Sequence, residues 1–165
     1  MHAQARAAIA LGSNLVSSKG DSTATVLAAI AQLGRLPGTS VLASSGLHTT
    51  LPVGPPQPPY INACVLVATS LGPRELLAHI LSIERAFGRD RSREQRWGPR
   101  ILDLDMIAFE DQVIEEPGLH VPHPRMHERV FVLAPLAEVW PEWVHPVLHT
   151  PVRELLAIRK AAVDS

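Results

Sequence analysis

The chain carries one cysteine, one tyrosine and only two lysines, Lys19 and Lys160, and each scarcity closes a class of explanation. A lone Cys64 cannot form an internal disulfide; it sits in the apolar run from Ala63 to Ala68 and reads as a small buried hydrophobe. No stretch approaches the roughly 18 consecutive apolar residues of a membrane span. The apolar run from Ala7 to Leu11 is too short for the core of a signal peptide, so a cytoplasmic protein is expected. Neither G-x-x-x-x-G-K-[ST] nor G-x-G-x-x-G occurs, and phosphate binding by a glycine-rich backbone nest therefore has no support. Internal repeats are also missing. What is there is globular: 46% hydrophobic residues, 19% charged and a net charge of −1 over 165 residues, enough chain to bury the core of one domain spanning 1–165.

Hydrophobic period places the elements. Residues from Arg6 to Leu11 read as a buried strand ending in a turn at Gly12-Ser13-Asn14. A helix follows from the N-cap Asp21, with Val26, Leu27, Ile30 and Leu33 on one face, and Pro37-Gly38 closes it. Residues 40–50 suit one strand, and the proline-rich run from Pro52 to Pro59 must be a loop. Tyr60 to Thr69 reads as a strong strand. Pro73 opens a second helix, striped by Leu76, Leu77, Ile80, Leu81, Ile83 and Phe87 and capped by Gly88. A further strand spans residues 101–109. The order β-α-β-β-α-β predicts an α+β class with a ferredoxin-like core. Beyond it come a short strand at Val113-Ile114, a loop around His120 to Pro124, and helices at 130–139 and 152–160.

Two local patterns carry chemistry. Between Arg85 and Arg100 six arginines face only Asp90 and Glu94, although the chain as a whole is slightly acidic. The run reads either as a solvated basic loop or as an anion clamp, for which arginine's planar fork is better suited than lysine. Immediately downstream, strand alternation sends Leu102, Leu104, Met106 and Ala108 to one face and Asp103 and Asp105 to the other. Two carboxylates on one strand face repel unless solvated or bridged by a cation, and Mg²⁺ suits a pair that leaves room for phosphate oxygens. Clamp and cation site stand side by side, as Mg-nucleotide chemistry requires. His120, His123 and His127 lack the flanking cues of a zinc site, and His123 reads as a phosphate contact. A ferredoxin-like sheet can also bind RNA, but the strand aromatics that such modules use are missing and no nucleic-acid partner is expected.

The stretch from Arg96 through Trp97-Gly98-Pro99-Arg100-Ile101-Leu102 to Asp103-Leu104-Asp105 resembles the signature of the 6-hydroxymethyl-7,8-dihydropterin pyrophosphokinases of folate biosynthesis. The resemblance also takes in Ala10 to Leu15, Tyr60 to Ala63, Val121 to Met126 and Arg129 to Phe131. It implies two Mg²⁺ ions on Asp103 and Asp105, and ATP contacts at Leu77, Glu84, Arg89, Arg91, Arg96, Trp97, Arg100, Ile101, His123 and Arg129. The catalytic set would be Arg89, Arg91, Arg96, Arg100, Asp103 and Asp105. The pterin would stack between Tyr60 and Phe131, with Trp97 lining the pocket and Asn62, Thr50 and Val53 reading its polar edge. The implied enzyme is a monomer that moves pyrophosphate from ATP to the pterin hydroxymethyl group. Its loops at 51–59 and 89–100 would close over the reactants, and a γ-phosphoryl kinase for a small alcohol is the alternative.

Overall fold

The computed structural model describes residues 3–17, 19–51, 56–90, 92 and 99–164; the expected site residues Val53, Arg91, Arg96 and Trp97 lie outside them. Strand β1 (Ala5–Ser13) alternates between two apolar faces. Ala7, Ile9 and Leu11 enter one core with the helices α1 (Ser22–Gly34) and α2 (Pro73–Ala86). Ala8 enters a second core, on the opposite face, with α3 (Val130–Val139) and α4 (Val152–Asp164). A strand buried on both sides belongs at the centre of a sheet. β1 does lie there, between β4 (Tyr60–Thr69) and β5 (Asp103–Phe109). The sheet runs β2-β4-β1-β5, with β2 (Thr39–Ser44) and β3 (His48–Thr50) both paired to β4, and every pairing is antiparallel. With helices returning after β1 and β4, this is the ferredoxin-like arrangement, extended by α3 and α4 on the face that the first two helices leave bare.

Three expectations need correction. The single strand at 40–50 is two. Backbone pairing to β4 breaks at Ser45, whose amide donates to the Cys64 carbonyl (2.9 Å) and whose hydroxyl accepts from the Cys64 amide (2.9 Å). Alternation had no apolar residue to follow through Ser44-Ser45-Gly46. The stretch from His120 is not all loop, because Leu119–Val121 (β7) pairs with Ile114–Glu116 (β6). Finally, Ala108 does not share a face with Leu104 and Met106. The β1–β5 register pairs Ala8 with Ala108 and Ile9 with Met106, which leaves Ile107 as an extra, bulged residue. Ile107 and Ala108 therefore both pack into the second core, while Asp103 and Asp105, upstream of the bulge, keep the expected side.

Among the described residues no helix is long and apolar enough to cross a membrane. Cys64 is 1% exposed, and burial pushes its thiol up to about 12, as befits an inert packing residue. The N-terminus of α1 is closed by Asp21, whose carboxylate accepts from the Ala24 amide at 2.9 Å. Asp21→Ala is expected to lower global stability by about 1 kcal/mol, read as an earlier urea midpoint with an unchanged slope; an unchanged midpoint would show that the cap contributes nothing.

Candidate active site

Register across three strands assembles the site. Gly12 of β1 is paired with Asn62 of β4 on one side and Asp103 of β5 on the other; two residues earlier, Ala10 is paired with Cys64 and Asp105. The cleft face of β1 thus carries only a methyl group and a hydrogen at these rows, and the larger polar side chains stand on the flanking strands. Two strand spacings separate Asn62 from Asp103, about 10 Å. The glycine is needed for space: a Cβ at position 12 would lie 3.0 Å from Asn62 Oδ1 and 3.7 Å from Tyr60 Cδ1.

The second face of the sheet is covered by α3 and α4 only below these rows. Above them it forms the floor of a cleft of about 410 Å³, lined by Ala10, Gly12, Asn62, Asp103, Asp105 and Ile107. Thr50 and Tyr60 line one side, Phe131 and Arg129 stand at the start of α3, and Arg100, His123 and Arg125 complete the wall. Nine of the expected residues therefore meet in one cavity: Thr50, Tyr60, Asn62, Arg100, Asp103, Asp105, His123, Arg129 and Phe131. The cavity has two chemically distinct ends. At one, Phe131 is 42% exposed and offers, with Tyr60, aromatic surface for a flat ligand beside the Asn62 amide. Asn62 Nδ2 donates to Thr50 Oγ1 at 2.7 Å, which fixes the plane of that amide. At the other end stand the carboxylates Asp103 and Asp105.

The Arg129 guanidinium lies 5.6 Å from the Phe131 ring centroid, which holds it over the cleft. His123 donates its backbone amide to the Ile107 carbonyl at the bulge (2.9 Å), so the irregularity in β5 also seats this histidine. Burial pushes the imidazole down to about 4, helped by Arg129 and opposed by Asp103. Near neutrality His123 is therefore neutral, and an anion placed beside it would be met by a ring N–H and not by a cation.

Asp103 and Asp105 fit a magnesium ion: two oxygen donors on one strand face, with the rest of an octahedral shell left to water and phosphate oxygens. Among the described residues no group of three or more His, Cys, Asp or Glu stands close enough together to hold a metal ion.

Four expected nucleotide contacts lie elsewhere. Leu77 and Ile101 are half-buried hydrophobes packed on the first core. Glu84 is 2% exposed on α2, and its Oε2 accepts from Arg89 Nη1 at 2.6 Å and from the Leu104 amide at 2.8 Å. Arg89, its side chain only 5% exposed, also donates to the Leu102 carbonyl (3.2 Å) and to Asp103 Oδ1 (3.0 Å). The buried stripe of α2 explains the placement of Glu84: it follows Ile80 by four residues and stands next to Ile83, on the core side of the helix. One guanidinium nitrogen of Arg89 is thus shared between the Glu84 and Asp103 carboxylates.

Sequence reasoning gave no site role to Gly12, Arg125, Ile107 or Asn14. Gly12 was legible in principle, as the last small residue of the alternating set Ala8, Ala10, Gly12. Asn14 is 1% exposed, and its side chain joins two segments that flank the cleft. Nδ2 donates to Gln57 Oε1 (2.8 Å) and to the Pro58 carbonyl (2.9 Å), Oδ1 accepts from the Arg100 amide (2.8 Å), and the Asn14 amide donates to the Arg100 carbonyl (3.0 Å). Asn14→Ala removes the three side-chain bonds while keeping the backbone one, and is expected to cost about 1–3 kcal/mol. Amide exchange should accelerate at Arg100; unaltered protection there would mean that Asn14 does not hold the segment.

Residues 8–141 match the family described as 7,8-dihydro-6-hydroxymethylpterin-pyrophosphokinase. A Synechocystis protein named 2-amino-4-hydroxy-6-hydroxymethyldihydropteridine pyrophosphokinase is 45% identical over 140 residues, which is 85% of this chain and 69% of that one. A Methylorubrum extorquens protein of the same name is 42% identical over 153 residues, 92% of each chain. Wild-type Plasmodium falciparum HPPK-DHPS has a similar fold, with a TM-score of 0.73 at 16% identity; the match covers 96% of this chain and 45% of that longer one. The chain belongs to the 7,8-dihydro-6-hydroxymethylpterin-pyrophosphokinase family.

Proposed function

We propose that the cleft binds ATP and 6-hydroxymethyl-7,8-dihydropterin side by side and joins them by pyrophosphoryl transfer, the reaction of folate biosynthesis that the family carries out. The observation that carries this reading is the row Asn62–Gly12–Asp103, which sets a ring-reading amide and a metal carboxylate on one floor. A dihydropterin ring lies between Tyr60 and Phe131 with its polar edge at Asn62 and its hydroxymethyl arm directed along the floor towards the aspartates. Thr50 orients Asn62, and the family resemblance adds Val53 and Trp97 as pterin contacts. Gly12 leaves the ring room to approach.

The triphosphate lies over Asp103 and Asp105, and Arg100, Arg129 and His123 meet its oxygens, with Arg91 and Arg96 adding to the clamp. Asp103 and Asp105 hold two Mg²⁺ ions, which neutralise the triphosphate and make the hydroxymethyl proton more acidic when bound. The hydroxymethyl oxygen attacks the β-phosphorus in line. A new oxygen–phosphorus bond forms, the bond from the β-phosphorus to the bridging oxygen of the α-phosphate breaks, and AMP departs with that oxygen. The hydroxyl proton passes to Asp105 or to water. The protein's part is to orient both reactants and exclude solvent, which suits a reaction in which most of the rate gain comes from positioning and charge. One chain, acting as a single domain and a monomer, supplies every group named.

The direct test is to incubate the protein with Mg-ATP and the pterin and to identify the nucleotide released. AMP is expected; ADP as the main product would establish γ-phosphoryl transfer and overturn the pyrophosphokinase reading while sparing the metal pair. Asp103→Asn and Asp105→Asn should each abolish nearly all turnover with circular dichroism unchanged, and Arg100→Ala should lose roughly 10³-fold in rate.

The two ends of the cleft can be probed separately. Tyr60→Ala and Phe131→Ala are each expected to weaken pterin binding by about 1–3 kcal/mol, measured by calorimetry; Tyr60→Ala should leave ATP affinity little changed, whereas Phe131→Ala also releases Arg129 and weakens ATP binding. A loss confined to ATP would place the two substrates the other way round.

A further inference from the structure

Glu84 and Arg89 form a buried pair at the edge of β5, which has β1 as its strand neighbour on the other side. A buried carboxylate is costly unless it is paired and hydrogen-bonded, and Glu84 is both. Its partners are specific. One is the Leu104 amide, which stands between the two aspartates on an edge where a neighbouring strand would otherwise supply the acceptor. The other is Arg89, whose same nitrogen reaches Asp103 Oδ1.

A guanidinium 3.0 Å from a metal-binding carboxylate fixes that carboxylate's rotamer, but it also repels a cation arriving at the same group. Glu84, 2.6 Å from the guanidinium, cancels most of that repulsion. We propose that Glu84 is a positioning residue for the metal pair: it balances Arg89, so that Arg89 orients Asp103 without competing with the cation, and it anchors the strand between Asp103 and Asp105. Sequence resemblance gave Glu84 and Arg89 to the nucleotide. The geometry assigns their main work to the metal carboxylates. This inference rests on the reading of Asp103 and Asp105 as the metal site.

Mn²⁺ replaces Mg²⁺ in the test, because loss of its free paramagnetic resonance signal reports binding without turnover. Wild type, Glu84→Gln and the double variant Glu84→Gln/Arg89→Gln are titrated in the presence of α,β-methylene-ATP, and affinity for the analogue alone is measured separately in EDTA. Glu84→Gln leaves Arg89 unbalanced and should weaken Mn²⁺ binding about ten-fold, the usual scale for a residue acting behind a metal ligand. Its metal-free affinity for the analogue should change little, because Glu84 is buried and does not line the cleft.

The double variant removes the excess charge and should return Mn²⁺ affinity to within about three-fold of wild type, a non-additivity expected only of coupled residues. That recovery is what a purely structural role would not produce. If Glu84→Gln fails to fold, Arg89→Gln takes its place: Glu84 then adds uncompensated negative charge beside Asp103, Mn²⁺ should bind more tightly than in the double variant, and equal binding in the two overturns the charge balance. Mn²⁺ binding unchanged in Glu84→Gln, with weakened binding of the analogue in EDTA, overturns the inference in favour of direct nucleotide contact. A wild-type protein that binds no Mn²⁺ overturns the metal reading and this inference with it.

Discussion

The antiparallel ladders of β1 with β4 and β5 set Gly12 opposite both Asn62 and Asp103. Side-chain direction in a strand has a period of two, so a slip of one residue in either ladder would turn a ligand-facing group into the helix-packed core and bring a leucine or isoleucine out. That register is protected because the other face of the same strands is buried. Ile9, Leu11, Val65, Leu104 and Met106 are all at most 5% exposed in the first core. Hydrophobic burial on one side of the sheet therefore specifies the geometry of the polar site on the other. The bulge at Ile107 marks where the second face changes from covered to open, and the His123 amide bonded to its carbonyl ties a wall of the cleft to that irregularity.

Much of this was legible in the sequence. Strand β4 and helix α3 fall where the sequence reading puts them, because each is an apolar run with clear boundaries, Pro59 and Gly72 around the one and Arg129 and Pro141 around the other. Asp103 and Asp105 on one strand face needed only alternation, and the arginine run beside them needed only counting. What periodicity missed were contacts between segments distant in sequence. Nothing near Asn14 announces that it will meet Gln57 and Arg100, because those partners are chosen by the fold. The bulge at Ile107 was invisible for a related reason: Met106-Ile107-Ala108-Phe109 is apolar throughout, so neither face is marked, and the register is decided by β1. Glu84 is the instructive intermediate case. Its spacing along α2 puts it on the buried stripe, and a buried glutamate implies a cationic partner, but which cation and what lay beyond it only three-dimensional packing could say.

The cleft also shows a division of labour. Its floor comes from strands whose backbones are hydrogen-bonded on both sides or fixed by the Glu84–Arg89 pair, and floors of that kind hold side chains to small tolerances. Its walls come from the start of α3 and from connecting segments, which adjust to a ligand more readily. Asn14 stands at the junction. It is a buried amide anchored just past the end of β1 and bonded to two segments at once.

β5 is the outermost strand on its side of the sheet, and an outer strand with unpaired amides and carbonyls is a template on which a second chain can add. Here the Leu104 amide is taken by Glu84, the Leu102 carbonyl by Arg89 and the Ile107 carbonyl by the His123 amide. Glu84 and Arg89, which brace the candidate metal site, thus also take two of the hydrogen-bonding groups along the outer border of the sheet. Loosening them for the sake of activity would open the molecule to edge-to-edge self-association.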